Sequence, residues 1–186
     1  METLERLGVI ILLLKAAQER QFKLFHAHVQ KLVYLLQEAK RVPLGYNFKM
    51  HYFGPYSEEL WGTLNILKSW DTVKVEMVQS HGSYGHLINP GDKVSEFLDL
   101  IEKNKNNQTW RTYEDRVTEL LELVGSRDAR GIELIGTVHF MHKLLKAQGQ
   151  ADNSETVIDR VRKLKPHFSE AEVSEALNEL REKLLL

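Results

Sequence analysis

The sequence contains no cysteine. That absence excludes a disulfide framework, a thiolate nucleophile and cysteine-ligated zinc, and it fits a reducing, cytoplasmic compartment. An excess of charge of one sign is lacking too. The 25 Lys and Arg residues face 26 Asp and Glu, a formal net charge of −1, so no global field draws the chain toward nucleic acid, although a local patch still can. Long apolar runs are reduced to one, Leu7 to Leu14, about half of the roughly 20 residues that cross a bilayer. Glu2 and Glu5 precede it and Lys15 through Arg20 follow without a small-residue cleavage site, so neither a membrane span nor a signal peptide is expected. The motifs G-x-S-x-G, G-x-x-x-x-G-K-[ST] and G-x-G-x-x-G are all missing, which argues against a hydrolase elbow, an NTPase and a dehydrogenase. No cofactor is expected, and the reading is of a chain that is not an enzyme.

What is present is a run of helix signals. The 186 residues, 42% hydrophobic and 27% charged, suffice for a folded core. Leu4, Leu7, Ile11 and Leu14 line a first helix that Thr3 can cap, and Val9, Ile10 and Leu13 widen its apolar arc until it belongs in the centre. A second helix, about Leu24 to Lys40, carries Phe25, Val29, Leu32, Val33, Leu36 and Ala39 on one face, with a polar face opposite and Pro43 as a stop. Asn47 to Phe53 alternates like a short strand that Gly54-Pro55 breaks. Ser57 then caps a helix to about Ser69, with Glu58 and Glu59 in its first turn and Tyr56 and Trp61 at staple positions. Val73 to Met77 and His86 to Asn89, joined through Ser80 to Gly85, read as a hairpin.

This order, helix, helix, strand, helix, hairpin, is that of a winged helix-turn-helix. The expected fold is therefore mainly α: a winged-helix-like unit over residues 1–93 with one small hairpin, and a helical extension over 94–186. The extension holds a helix around Val94 to Ile101, a polar linker from Lys103 to Gln108, and helices near Trp110 to Val124 and Ala129 to Ala147 that should pack on the first. It ends in a helix-turn-helix pair whose last member starts at the capping box Ser169/Glu172.

Candidate chemistry is thin. His139 and His142 stand at i, i+3 but lack a third ligand, and His26 and His28 point to different faces, so no metal site is expected. Gly82-Ser83-Tyr84-Gly85 beside His81 and His86 reads as a hairpin turn rather than a nucleophile. Two binding modes remain. In a DNA-binding regulator, the helix after Ser57 would enter the major groove, and Lys40, Arg41, Lys49, Lys68, Lys74, His81 and His86 would supply the flanking patch. The acidic Glu58 and Glu59 oppose it, since phosphate contacts supply most nonspecific affinity. In a protein-binding module, aromatics are the expected anchors, and Tyr52, Tyr56, Trp70 and Tyr84 are the candidates, while Phe53 and Trp61 are assigned to the core. The edge of the hairpin would also admit a homodimer.

The run Gln30-Lys31-Leu32-Val33-Tyr34-Leu35-Leu36, followed by Met50-His51-Tyr52-Phe53-Gly54-Pro55-Tyr56-Ser57-Glu58-Glu59-Leu60, resembles the bacterial and archaeal YwgA-like proteins. It is more distantly similar to the Panacea domain of SocA-type antitoxins. The resemblance covers about residues 5 to 90, and the F-G-P-Y-S-E-E-L string is its most specific part. It implies a helical, winged-helix-like fold and a regulatory role, antitoxin-like or adaptor-like, with a protein partner; it supplies no catalytic residues.

Overall fold

A computed structural model describes residues 3–80, 83–103, 107–150, 153–183 and 185–186. It is mainly helical, with two small antiparallel strand pairs among the described residues. In chain order these are α1 (Thr3–Glu19), α2 (His26–Glu38), β1 (Lys49–His51), β2 (Gly54–Tyr56), α3 (Glu58–Ser69), β3 (Val73–Ser80), β4 (Ser83–Pro90) and α4 (Val94–Lys103). The remaining helices are α5 (Asn107–Val124), α6 (Ala129–Ala147), α7 (Ser154–Leu164) and α8 (Glu170–Glu182).

Local signals place most of these elements. Ser57 caps α3 by accepting the Leu60 N–H at 3.3 Å, and Glu172 completes the capping box on Ser169, whose backbone N–H it accepts at 2.7 Å. Asp128 and Asn153 cap α6 and α7. The polar run 103–108 is shorter as a connection than expected: Lys103 closes α4 and Asn107 already opens α5, while 104–106 lie outside the described residues.

Three expectations are corrected. The strand expected over 47–53 is only Lys49–His51, and Gly54-Pro55 does not end it but opens a partner strand. Lys49 faces Tyr56 and His51 faces Gly54, so there are two strand pairs rather than one hairpin. A two-residue turn at Tyr52-Phe53 becomes available because Gly54 takes φ +89°, a conformation that a side chain disfavours. Second, α2 has no solvent-facing polar side over its middle: every residue from His28 to Leu36 is buried. β2 and α6 cover the side that the pattern assigns to water. Third, α6 packs chiefly on α2, β2, α7 and α8, whereas α1 is flanked by α4, α5 and β4. Gly136 permits this by letting α6 close on Lys31 and Pro55.

One hydrophobic cluster runs through both halves of the chain, from Leu7 in α1 to Leu185, and it crosses residue 93 without a break. Each fully buried Leu, Ile or Val in it contributes about 1.5–3 kcal/mol of transfer free energy. Inside this cluster Tyr34 and His139 share a hydrogen bond of 2.8 Å, and burial holds His139 down at about 4, so the imidazole is neutral where it sits. The i, i+3 histidine is thus a satisfied core residue. No helix among the described residues is long and apolar enough to cross a membrane.

Candidate functional site: a row of rings over a buried lysine

The site grows from the two sequence strings singled out above, because each holds the other in place. Gln30, in the middle of α2, is fully buried. Its amide oxygen accepts the Ser57 backbone N–H at 2.9 Å, and its amide nitrogen donates to the Ser57 carbonyl at 3.0 Å. One side chain thereby fixes the end of the β1–β2 pair and the start of α3 against α2. Lys31 follows, its stem threaded between two glycines: a Cβ at Gly136 would lie 2.9 Å from Lys31 Cγ, and one at Gly54 would lie 3.1 Å from both Lys31 Cε and Thr137 Oγ1. The Thr137 hydroxyl is itself buried without a hydrogen bond among the described residues.

Gly54→Ala is therefore expected to lose about 2–4 kcal/mol of stability. A positive φ costs of order 1–3 kcal/mol for a non-glycine residue, and the crowding of Lys31 adds to it. Urea denaturation checks the value, and a loss below about 1 kcal/mol would show that the turn tolerates a side chain.

Above this floor lies a row of five rings in contact. His86 on β4 meets Trp61 on α3 with centroids 5.6 Å apart, Trp61 meets His26 on α2 at 4.2 Å, His26 meets Tyr56 on β2 at 5.8 Å, and Tyr56 meets His51 on β1 at 5.4 Å. His26 intervenes between Tyr56 and Trp61, the two residues expected to staple directly. Burial holds the His26 imidazole down at about 4, with Lys31 and His86 pushing the same way, so this central ring is neutral.

Both ends of the row run out into exposed apolar side chains. At one end Met77 is the cross-strand partner of His86, and Tyr84, two residues before His86, shares its face of the hairpin. They are 67% and 72% exposed. At the other end Tyr52 and Phe53 form a T-shaped pair at the β1–β2 turn, 76% and 59% exposed. Phe53 is thus not a core residue: the tight turn throws it outward. Two clefts flank that turn. One, about 340 Å³, includes His26, Gln30, Lys31, His51, Phe53 and Tyr56 in its lining. The other, about 640 Å³, lies between Tyr52 and the Leu164–His167 segment. Between them Lys165 is buried, paired to Glu133 at 3.0 Å and donating to the His51 carbonyl at 3.3 Å.

The sequence candidates distribute unevenly over this geometry. Tyr52, Tyr56, Tyr84 and His86 fall on one continuous surface. Trp70 does not join them, because it caps the far end of α3 and packs on Phe97 of α4 at 6.0 Å. The basic candidates do not make one patch. Lys40 is taken up by Glu119 on α5 and Lys74 by Asp92, while Lys49 and Lys68 are exposed on β1 and at the end of α3. Arg41 holds a left-handed backbone with φ 58° and gives its carbonyl to Arg116. His81 lies outside the described residues. Sequence reasoning missed Gln30, Lys31, Glu133 and Lys165; the available signal was a Gln-Lys pair inside an otherwise apolar stretch of helix. No protein-family model matches this chain, and no curated protein matches it either.

Proposed function

We propose that this protein is a non-enzymatic regulatory interaction module, antitoxin-like or adaptor-like, which works in the cytoplasm by gripping a protein partner along the row of rings. The observation that carries the reading is the continuity of that row, from Met77 and Tyr84 through His86, Trp61, His26, Tyr56 and His51 to Phe53 and Tyr52. Aromatic side chains held by a rigid frame are the anchors that protein interfaces favour, since their large area is presented at little cost in side-chain entropy.

The resemblance to YwgA-like and Panacea proteins supports the reading, because the residues that carry it include His51, Tyr52, Phe53 and Tyr56 at one end of this surface and Gln30 and Lys31 beneath it. A winged-helix arrangement is part of the proposal. In it Phe25, between α1 and α2, bridges Leu87 of β4 in the manner of a third wing strand, and α3 takes the position of a recognition helix. As a DNA reader that helix is poorly equipped: its outward residues are Glu58, Glu59, Gly62, Asn65, Ile66, Lys68 and Ser69, and Glu59 already pairs with Arg6 at 2.7 Å.

The test is photo-crosslinking in the native host, with benzoylphenylalanine at position 52, 84 or, as a control off the row, 100. Positions 52 and 84 are expected to trap the same discrete protein, with the yield falling about tenfold on Tyr56→Ser, equivalent to one good anchor. Micromolar binding to random duplex DNA with a steep salt slope, together with no protein crosslink from either position, would replace this reading by a DNA-binding regulator.

A further inference from the structure

Lys31 is buried along its stem and opens its ammonium only toward the cleft, with no carboxylate paired to it among the described residues. It is 2% exposed, and among the described residues no hydrogen bond and no ion pair ends on its ammonium. The carboxylate that acts on it, the half-buried Glu133 on α6, is already engaged by Lys165 at 3.0 Å and approached by His167 at 3.6 Å. Two buried lysines thus share one carboxylate. An uncompensated interior charge is unfavourable, and it is relieved either by releasing the proton or by receiving a counterion. Lys31 lines the cleft of about 340 Å³ under the ring row, so a counterion has a way in.

We propose that this cleft seats an acidic side chain of the protein partner, its carboxylate paired with the Lys31 ammonium and its chain lying across the His26, Tyr56 and Phe53 rings. This rests on the protein-partner reading and adds the chemistry of the anchor. A monoanion matches the single unpaired positive charge. Glu58, which also lines the cleft, repels any anion, but a dianion such as phosphate about twice as strongly, so a single carboxylate is the better match to Lys31. The rings suit the apolar stem of Asp or Glu better than a bare inorganic ion.

The titratable and charged groups that face Lys31 are His26 and His28 on its own helix, Glu133 from α6, Lys165 after α7, His51 from β1 and Glu58 from α3. Burial lowers the Lys31 ammonium to about 8; Glu133 resists and Lys165 assists. A partner carboxylate would raise it again.

The experiment follows the ε-methylene resonance of Lys31 in protein carrying 13C-lysine, assigned with Lys31→Met. The probes are acetyl-Gly-Asp-Gly-amide, its Asn counterpart and inorganic phosphate, at one ionic strength. The Asp peptide is expected to raise the titration midpoint of Lys31 by about one unit or more and to bind about tenfold more tightly than the Asn peptide, a preference lost in Lys31→Met. Equal effects of the Asp and Asn peptides, or a stationary Lys31 resonance, overturn the proposal. A larger response to phosphate than to the Asp peptide overturns it in favour of a free-anion pocket. If crosslinks from positions 52 and 84 survive while the Asp peptide fails, the acidic anchor alone is wrong.

Discussion

Lys31→Met is expected to stabilise the free protein by about 2–3 kcal/mol at pH 7. Most polar substitutions in a core destabilise, so the sign is informative. Methionine keeps an unbranched stem that can thread between Gly54 and Gly136, has nearly the helix propensity of lysine, and removes the desolvated ammonium. The fall of the Lys31 ammonium from 10.5 to about 8 corresponds to about 3 kcal/mol of penalty against the charged form. The pH dependence fixes the cause. Between about pH 8 and 10.5 the unfolded chain binds a proton at this lysine that the folded chain has released, so the stability of the natural protein rises with pH through that window. Tyr34 and Tyr46, whose hydroxyls burial pushes up, act in the opposite direction from about pH 10 but equally in both proteins. The difference between natural and variant protein should therefore be largest near neutrality and close by about pH 10.5. Chemical denaturation at several pH values measures it, and a variant that is less stable, or a difference indifferent to pH, would refute the account of Lys31 as a desolvated charge.

Gln30→Ala should move stability the other way, by about 3–5 kcal/mol. Two hydrogen bonds with backbone groups of Ser57 disappear, each contributing about 1 kcal/mol net. The Ser57 N–H is then left buried without a partner, a further cost of about 1–3 kcal/mol, whereas its carbonyl still accepts the Trp61 N–H. Because the same side chain ties α2 to the start of α3, the loss should be felt along the ring row. Trp61 fluorescence should become more solvent-like under conditions where the far-ultraviolet dichroism of the helices is unchanged. Gln30→Glu separates polarity from fit, since an ionised carboxylate can accept the Ser57 N–H but cannot donate to its carbonyl. A loss below about 1 kcal/mol for Gln30→Ala, with Trp61 unaltered, would mean that α3 is placed by apolar packing alone.

Much of the architecture is written locally and could be read without the fold. The capping box at Ser169 and Glu172, the cap at Ser57, the β3–β4 hairpin and the limits of α6 depend on neighbours a few residues apart, so sequence spacing specifies them. The aromatic side chains of the ring surface were legible as residue types, because Tyr52, Tyr56 and Tyr84 crowd around two turns in the sequence. Their grouping was not. Trp70 and Tyr84 look alike on the page, yet one packs on Phe97 and the other extends the face of His86.

The sequence by itself determined a mainly helical protein without cysteine chemistry and with its helix starts in register, because propensity, capping and periodicity act over a few residues. Only the tertiary structure decided that the polar side of α2 is covered by β2 and α6. That covering turns Gln30 from a surface amide into a clamp and Lys31 from a solvated cation into a largely desolvated one. Burial depends on which distant segments pack on a residue, and the decisive neighbours here, Glu133 and Lys165, lie more than a hundred residues away along the chain.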